Sequence, residues 1–172
     1  MSRVSVFIAV SLDGKIARAD GSLDWLEPFN SPDEDYGFAE FASSVDVVVM
    51  GRNTYDVVLG FGDWPYPDKR VVVMTHRPIT PRHGEEFTAG DLLPVLQHLQ
   101  ADRVYLDGGQ AICQGLREGL VTDLTLNVIP TILGPGIPLF DGSLPFSSWS
   151  LAKSRTFDSG LVQIHYQIPG HP

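Results

Sequence analysis

The sequence of 172 residues contains a single cysteine, Cys113. One thiol cannot form an intramolecular disulfide and cannot build a thiolate metal site. The histidines do not show metal-ligand spacing either, so we predict no metal. Disulfide-free chains are typical of reducing compartments, and we therefore expect a cytoplasmic protein.

Basic residues and long apolar runs are also scarce. Twelve Lys and Arg residues stand against 21 Asp and Glu, a net charge of −9, which disfavours a general nucleic-acid-binding surface. No apolar run is as long as a membrane span. Ser5 interrupts the apolar start, which indicates a first β-strand rather than a signal peptide. We therefore expect no nucleic-acid or membrane partner. A few Lys and Arg side chains that lie together at one site would still be compatible with a small anionic ligand.

The hydrophobic pattern predicts one α/β domain over residues 1–172, with a mostly parallel sheet and an antiparallel edge. Buried strands are predicted at 4–10, 45–50, 71–74, 104–106 and 124–129, with a short edge strand at 87–88. Helices are predicted at 32–44, 54–59, 91–99 and 110–118. Loops are predicted at 11–21, 60–69 and 130–138, and a C-terminal hairpin at 149–157 and 161–168.

Two predicted strand-to-helix junctions carry glycine, one at Gly51 and the other at Gly108 and Gly109. Ligands of open α/β sheets bind at the carboxyl ends of strands, and helix N-termini favour phosphate. Two such junctions suit a pyrophosphate, although each alone is more simply explained as a tight turn. Neither matches the dinucleotide-binding G-x-G-x-x-G or the P-loop G-x-x-x-x-G-K-[ST], so ordinary dehydrogenases and P-loop enzymes are disfavoured.

Several motifs follow one another in a familiar order. They are Ser11-Leu12-Asp13-Gly14-Lys15-Ile16-Ala17, Asp24-Trp25, Met50-Gly51-Arg52-Asn53-Thr54-Tyr55, Asp107-Gly108-Gly109 and the segment from Pro130 to Phe140. This series resembles the dihydrofolate-reductase-like superfamily. It is most similar to the bacterial branch related to the riboflavin-biosynthesis reductase domain (RibD C-terminal-like). The resemblance implies a dihydrofolate-reductase-like central mixed, mostly parallel sheet of about eight strands flanked by helices.

The resemblance also implies an oxidoreductase that binds NADPH. Arg52 and Arg77 would face the 2′-phosphate, for which the arginine fork is well suited. Gly108 and Gly109 would lie under the pyrophosphate, and Ala9 would line the nicotinamide. The full implied cofactor set is Ala9, Ile16, Gly51, Arg52, Asn53, Thr54, Thr75, His76, Arg77, Gly108, Gly109, Gln110, Ala111 and Ile112.

A carboxylate near the nicotinamide would assist protonation of the substrate. The position that corresponds to the family's helix carboxylate is Asp35, and burial beside Trp25 and Phe38 would raise its pKa. An acidic first helix turn is an equally simple explanation of this residue. The resemblance implies Asp13, Trp25 and Phe38 as substrate-binding residues, although Asp13 before Gly14 is also an ordinary turn signal.

The preferred function is hydride transfer from NADPH to a small heterocyclic, pterin- or pyrimidine-like substrate. Narrower alternatives are the riboflavin-pathway 5-amino-6-(5-phosphoribosylamino)uracil reductase and true dihydrofolate reductase. Alternatives of another class are an NADPH-binding sensor or interaction protein without turnover, and a domain that has lost the cofactor. Related reductases are homodimers and the C-terminal hairpin is apolar, so a homodimer is expected.

Overall fold

The computed structural model describes residues 2–171, which form ten strands and five helical segments. The strands are β1 Arg3–Ser11, β2 Lys15–Arg18, β3 Val47–Gly51, β4 Arg70–Met74, β5 Glu86–Thr88, β6 Arg103–Asp107, β7 Asp123–Ile129, β8 Gly136–Pro138, β9 Ser150–Thr156 and β10 Val162–Gln167. The α-helices are α1 Phe38–Ser43, α2 Arg52–Leu59, α3 Leu92–Leu99 and α4 Gly109–Arg117, and a 3₁₀ helix spans Asp24–Phe29.

Eight strands form one sheet in the order β5-β4-β3-β6-β1-β7-β10-β9. The six strands from β5 to β7 are mutually parallel, and the hairpin β9–β10 pairs antiparallel with β7. A separate antiparallel pair joins β2 to β8. The predicted fold class, including its antiparallel C-terminal hairpin, is confirmed.

Alternate residues of the central strands face opposite layers of helices, as the two-residue period of a strand requires. On one face, Val6 and Leu106 pack with Ile112 of α4. On the other face, Tyr105 belongs to the same apolar cluster as Tyr55 of α2. Both faces are therefore covered near the centre of the sheet, which explains the near-continuous apolar runs of β3 and β4.

The first predicted helix begins later than predicted, at Phe38. Tyr36 and Gly37 have φ angles of 54° and 81°, which lie in the left-handed region and stop a right-handed helix. Upstream, Ser31 and Glu34 form an isolated antiparallel bridge. The prediction was wrong here because a capping serine, a proline and acidic residues also occur in turns.

The loops predicted after β1 and after β7 each contain a short strand. Within them, Lys15–Arg18 and Gly136–Pro138 pair with each other. These strands are too short for a period-two pattern, so only their tertiary pairing reveals them. Across residues 2–171, no helix has the length and apolar character needed to cross a membrane.

Candidate functional site

The carboxyl ends of the central parallel strands meet at one edge of the sheet. In the sheet, β6 lies between β3 and β1. From β3 the chain continues through β4 to β5 on one side of β6, and from β6 it continues to β7 and β10 on the other side. Such a reversal of strand order leaves a crevice at the carboxyl ends, where α/β proteins bind ligands. Gly51, Asp107 and Ser11 end the three central strands at this crevice.

The two glycine junctions and the segment after β1 are in close contact there. Gly108 has a φ of +96°, and a Cβ atom on it would lie 2.2 Å from Thr54 Oγ1. A Cβ atom on Gly109 would lie 2.5 Å from Ile16 Cδ1. Glycine is therefore required at Gly108, whereas the contact at Gly109 is with the end of a flexible side chain. Three segments predicted for cofactor binding are brought together by these contacts.

Helices α2 and α4 both begin at this crevice without a side-chain cap on their first N–H groups. Around Gly51, which precedes α2, the space for a Cβ atom has no neighbour within 4 Å among the described residues. Uncapped helix N-termini carry partial positive charge and suit an anion. The arrangement fits a pyrophosphate-containing ligand held by main-chain N–H groups.

The residues predicted for the 2′-phosphate also lie together. The guanidinium of Arg52 donates to the main-chain carbonyl of Arg77, and the N–H of Arg77 donates to Thr75 Oγ1 at 3.0 Å. Both His76 and Arg77 are exposed. Arg52 Nε also lies 2.9 Å from Asp56, so an incoming phosphate would compete with this exposed ion pair.

The remaining predicted cofactor residues divide by exposure. Asn53 and Gln110 are exposed at the starts of their helices, and Ala111 is buried. Ile112 is fully buried in the core, and its N–H donates to the carbonyl of Gly108 at 2.9 Å. Neither its side chain nor its N–H is therefore available to a ligand, and we do not retain Ile112 as a cofactor residue.

Asp107 is the titratable group at the end of β6, directly before the Gly108 junction. It is partly buried at the end of β6, on the same face as Tyr105, and Tyr66 Oη donates to its Oδ2 at 3.5 Å. Burial raises the pKa of Asp107 to about 6, although the N–H of Gly108 and the tyrosine hydroxyls partly oppose this shift. A carboxyl group that titrates near neutral pH is suited to proton transfer.

Trp25 lies in a buried cluster with Ala9 and Leu133. Its side chain is 5% exposed, and its Nε1–H is the one fully buried side-chain polar atom of residues 2–171 that lacks a hydrogen-bond partner. Buried donors are normally satisfied. Protein atoms cover this Nε1–H, so an acceptor on a bound molecule reaches it only if the neighbouring side chains move.

Phe38 does not share the environment of Trp25. It packs on Phe7 with ring centroids 5.6 Å apart, and it also contacts Phe41 and Tyr105. Its ring therefore covers the sheet beside β1, in the same apolar cluster as Tyr66. Contact of Phe38 with substrate stays a prediction.

Asp35 is exposed and does not face a buried pocket. Its carboxylate accepts the N–H groups of Gly37 and Ala39, each at 2.9 Å. These hydrogen bonds lower the pKa of Asp35. The expected rise in its pKa was therefore wrong, because the carboxylate holds the start of α1, as the alternative explanation had it.

Asp13 ties two loops together. Its carboxylate accepts Ser11 Oγ–H at 2.6 Å and the N–H groups of Leu133 and Gly134, each at 2.9 Å. The Ser11 and main-chain hydrogen bonds lower the pKa of Asp13 to about 2. Asp13 thus positions the segment between β1 and β2, and its contact with substrate stays a prediction.

From the sequence, Asp107 was named only within the Asp107-Gly108-Gly109 motif and was given no functional role. The available signal was its position, since it directly follows a buried central strand and precedes two glycines. Its raised pKa was not predictable, because burial in the folded protein causes it, and that burial depends on segments distant along the chain.

Comparisons with known proteins agree with this architecture. The RibD C-terminal domain family matches residues 2–163. The uncharacterized protein YwjB of Bacillus subtilis (strain 168) is 34% identical over 96% of this chain and 98% of its own length.

Two solved structures illustrate the range of the fold. A protein from Shewanella sp. PV-4 with a provisional riboflavin-biosynthesis name superposes with a TM-score of 0.87 and 36% identity, over 98% of this chain and 99% of its own. Dihydrofolate reductase from Enterococcus faecalis, in complex with NADP(H) and RAB-propyl, superposes with a TM-score of 0.69 and 15% identity. These two chains overlap over 97% and 96% of their lengths, and this likeness shows the fold alone.

Proposed function

The chain belongs to the RibD C-terminal domain family, and we propose that it is an NADPH-dependent reductase acting on a small heterocyclic, pterin- or pyrimidine-like substrate. The observation that carries the proposal is the convergence of two uncapped helix N-termini and the partly buried Asp107 at one crevice. The helix N-termini suit the phosphates of a dinucleotide, and the carboxyl group of Asp107 suits a substrate that accepts a proton.

In this proposal, the starts of α2 and α4 bind the pyrophosphate through their main-chain N–H groups. Arg52 and Arg77 contact the 2′-phosphate, and Ala9 and Ile16 line the nicotinamide. When bound, NADPH supplies the hydride, and the protein supplies orientation and a proton.

Asp107 is the proposed proton donor. Its carboxyl group exchanges protons with solvent near neutral pH and passes one to the heterocycle as the hydride arrives. Trp25, in the same apolar cluster as Ala9, is proposed to pack beside the nicotinamide and the substrate. Heterocycles with a ring nitrogen or carbonyl oxygen that takes up a proton, including pterins and pyrimidines, match the carboxyl group of Asp107.

The narrower assignments have less support. A phosphoribosyl substrate needs cations near the nicotinamide, and the nearby candidates from the sequence are Lys15 and Arg18. Arg18 Nε already lies 2.6 Å from Asp24 in an exposed ion pair. True dihydrofolate reductase activity is disfavoured by the exposed position of Asp35. The exposed position of Asp35 also favours a second candidate function, that of an NADPH-binding protein without turnover.

We expect excess NADPH to raise the melting temperature of the protein more than NADH does. A ligand at a hundredfold excess over its dissociation constant adds about 2.7 kcal/mol to the free energy of unfolding. Replacing Arg52 and Arg77 together by Ala should weaken NADPH binding at least tenfold while leaving NADH binding nearly unchanged, because only NADPH carries the 2′-phosphate. Thermal unfolding with each nucleotide measures both effects.

The outcomes separate the candidate functions. NADPH oxidation with a panel of pterins and pyrimidines supports the reductase. Stabilisation by NADPH without oxidation by any of them supports the binding protein. Equal loss of NADPH and NADH affinity in the double variant would sink the assignment of the two arginines. A well-folded protein that neither nucleotide stabilises has left the cofactor chemistry of its family.

We also propose that the protein is cytoplasmic. Cys113 is buried, and its Sγ–H donates to the carbonyl of Leu139 at 2.9 Å. A buried thiol with an acceptor is stable in a reducing compartment, where NADPH is also the common reductant.

We propose further that the protein is a homodimer through its C-terminal hairpin and the segment before it. Phe146 is 96% exposed and Leu151 is 60% exposed, and β9 lies at the edge of the sheet. We expect Phe146→Ser to convert dimers to monomers in light scattering, because the apolar contact is lost. Phe61→Ser, at another exposed loop phenylalanine (59% exposed), should leave the dimer intact. A wild-type protein that is monomeric at all concentrations contradicts the proposal.

A further inference from the structure

A second concave site lies between α1 and the C-terminal half of the sheet. The cavity has a volume of about 290 Å³ and is floored by β1, β7 and β10. We call it the basic groove, after the residues Arg3, Arg103, Lys153, Arg155 and His165 that line it. Its described lining includes neither the glycine junctions nor Asp107 or Trp25, so it is separate from the candidate reductase site.

The charged side chains on the floor of the basic groove neutralise one another. Asp123 is 3% exposed, and the Arg3 guanidinium donates to both of its carboxylate oxygens. His165 Nε2 lies 3.3 Å from the same carboxylate. The hydrogen bonds from Arg3 and Thr122 outweigh burial and lower the pKa of Asp123 to about 2. Asp123 is therefore ionised, and its charge is balanced by Arg3.

The rim of the basic groove is not balanced. Arg103, Lys153 and Arg155 have no ion-pair partner among residues 2–171, and Arg155 only lies over the Phe157 ring at 4.9 Å. Against these three cations the lining offers one further carboxylate, that of Glu40. The groove thus has an excess of two positive charges in a protein whose net charge is −9.

The basic residues also lie beside one another in the sheet. Arg3 pairs in register with Arg103 across β1 and β6, and Lys153 and Arg155 lie two residues apart on one face of β9. Like charges directly opposite each other destabilise a sheet. Stability-reducing arrangements of this kind are typical of sites selected for function.

We propose that the basic groove binds a small dianion, namely the phosphate group of free phosphate or of a small phosphorylated metabolite. The excess of two charges matches a phosphate dianion, and the guanidinium groups of Arg103 and Arg155 present forked donors to its oxygens. The ammonium of Lys153 adds a third cation on the same face. The volume lies near the lower limit of small-molecule pockets, which excludes a large ligand.

Inorganic phosphate is the first probe, measured by calorimetric titration and by thermal unfolding against sodium chloride of equal ionic strength. We expect the triple variant Arg103→Gln, Lys153→Gln, Arg155→Gln to bind phosphate at least tenfold more weakly. Without phosphate at low salt it should melt no lower than wild type, because the like-charge pairs are relieved. If the triple variant folds poorly, the single variant Arg103→Gln tests the loss of phosphate affinity in its place.

Two control variants show whether phosphate binds in the basic groove or elsewhere. Arg117→Gln removes a cation from α4 on the other face of the sheet and should bind phosphate as wild type does. The Arg52→Ala, Arg77→Ala variant should also retain the response, so failure of the reductase proposal is distinguishable from failure of this one. Phosphate binding that is lost only in that double variant, or that equals the chloride effect, overturns the proposal. Tighter binding of ribose 5-phosphate than of phosphate identifies a phosphorylated metabolite, and equal binding identifies free phosphate.

Discussion

Replacing Asp107 by Asn will lower the rate of heterocycle reduction by about 10²- to 10⁴-fold, the range that general acid catalysis contributes. Asn keeps the shape and one acceptor oxygen of the carboxyl group, but it cannot release a proton. The loss should fall on kcat, because the proton moves in the reacting complex, and the affinity for NADPH should change little.

The same variant should be more stable than wild type at alkaline pH. The pKa of Asp107 is raised in the folded protein from an ordinary value of 3.8 to about 6. Between these pH values the native state holds a proton that the unfolded state has released, so the free energy of unfolding falls as pH rises. The full loss, about 3 kcal/mol, is present above pH 6 and absent below pH 4. Asp107→Asn removes this dependence.

Denaturant unfolding of both proteins at pH 4 and pH 8 measures the effect. The carboxylates whose pKa lies near 2, including Asp13 and Asp123, titrate below this window and cancel in the comparison. Asp35→Asn is the matched control, since it alters the carboxylate expected from the sequence to assist protonation. If Asp35→Asn abolishes turnover and Asp107→Asn does not, the assignment of the proton donor is reversed.

Replacing Gly108 by Ala will destabilise the fold by about 2–4 kcal/mol and abolish cofactor-linked stabilisation. The new Cβ atom would lie 2.2 Å from Thr54 Oγ1, and the φ of +96° is unfavourable for any L side chain. Strain in the left-handed region alone contributes about 1–2 kcal/mol. The collision adds to this strain by driving α2 away from the start of α4, which separates the two helix N-termini.

Gly119 offers a matched control for backbone strain. It also has a positive φ, +66°, but a Cβ atom on it has no described neighbour within 4 Å. Gly119→Ala should therefore show the strain without the collision, and NADPH should still raise its melting temperature. Equal destabilisation of the two variants would mean that the contact between Gly108 and Thr54 has no role of its own.

Local signals in the sequence determined most of the sheet. Runs such as Val45 to Met50 read as buried strands because both faces of the central sheet are covered by helices. The glycine junctions were also visible, since a strand end, a glycine and a helix start follow one another within a few residues. These features depend on chemistry between near neighbours, so a linear pattern is sufficient to reveal them.

Tertiary structure decided the features that depend on distant segments. Pairing with Gly136–Pro138 makes Lys15–Arg18 a strand, and the left-handed turn at Gly37 makes Asp35 an exposed cap rather than a buried acid. The pKa of Asp107 and the charge excess of the basic groove arise in the same way. Both depend on which groups the fold removes from water or places side by side, because desolvation and Coulomb energies follow distance in space rather than separation along the chain.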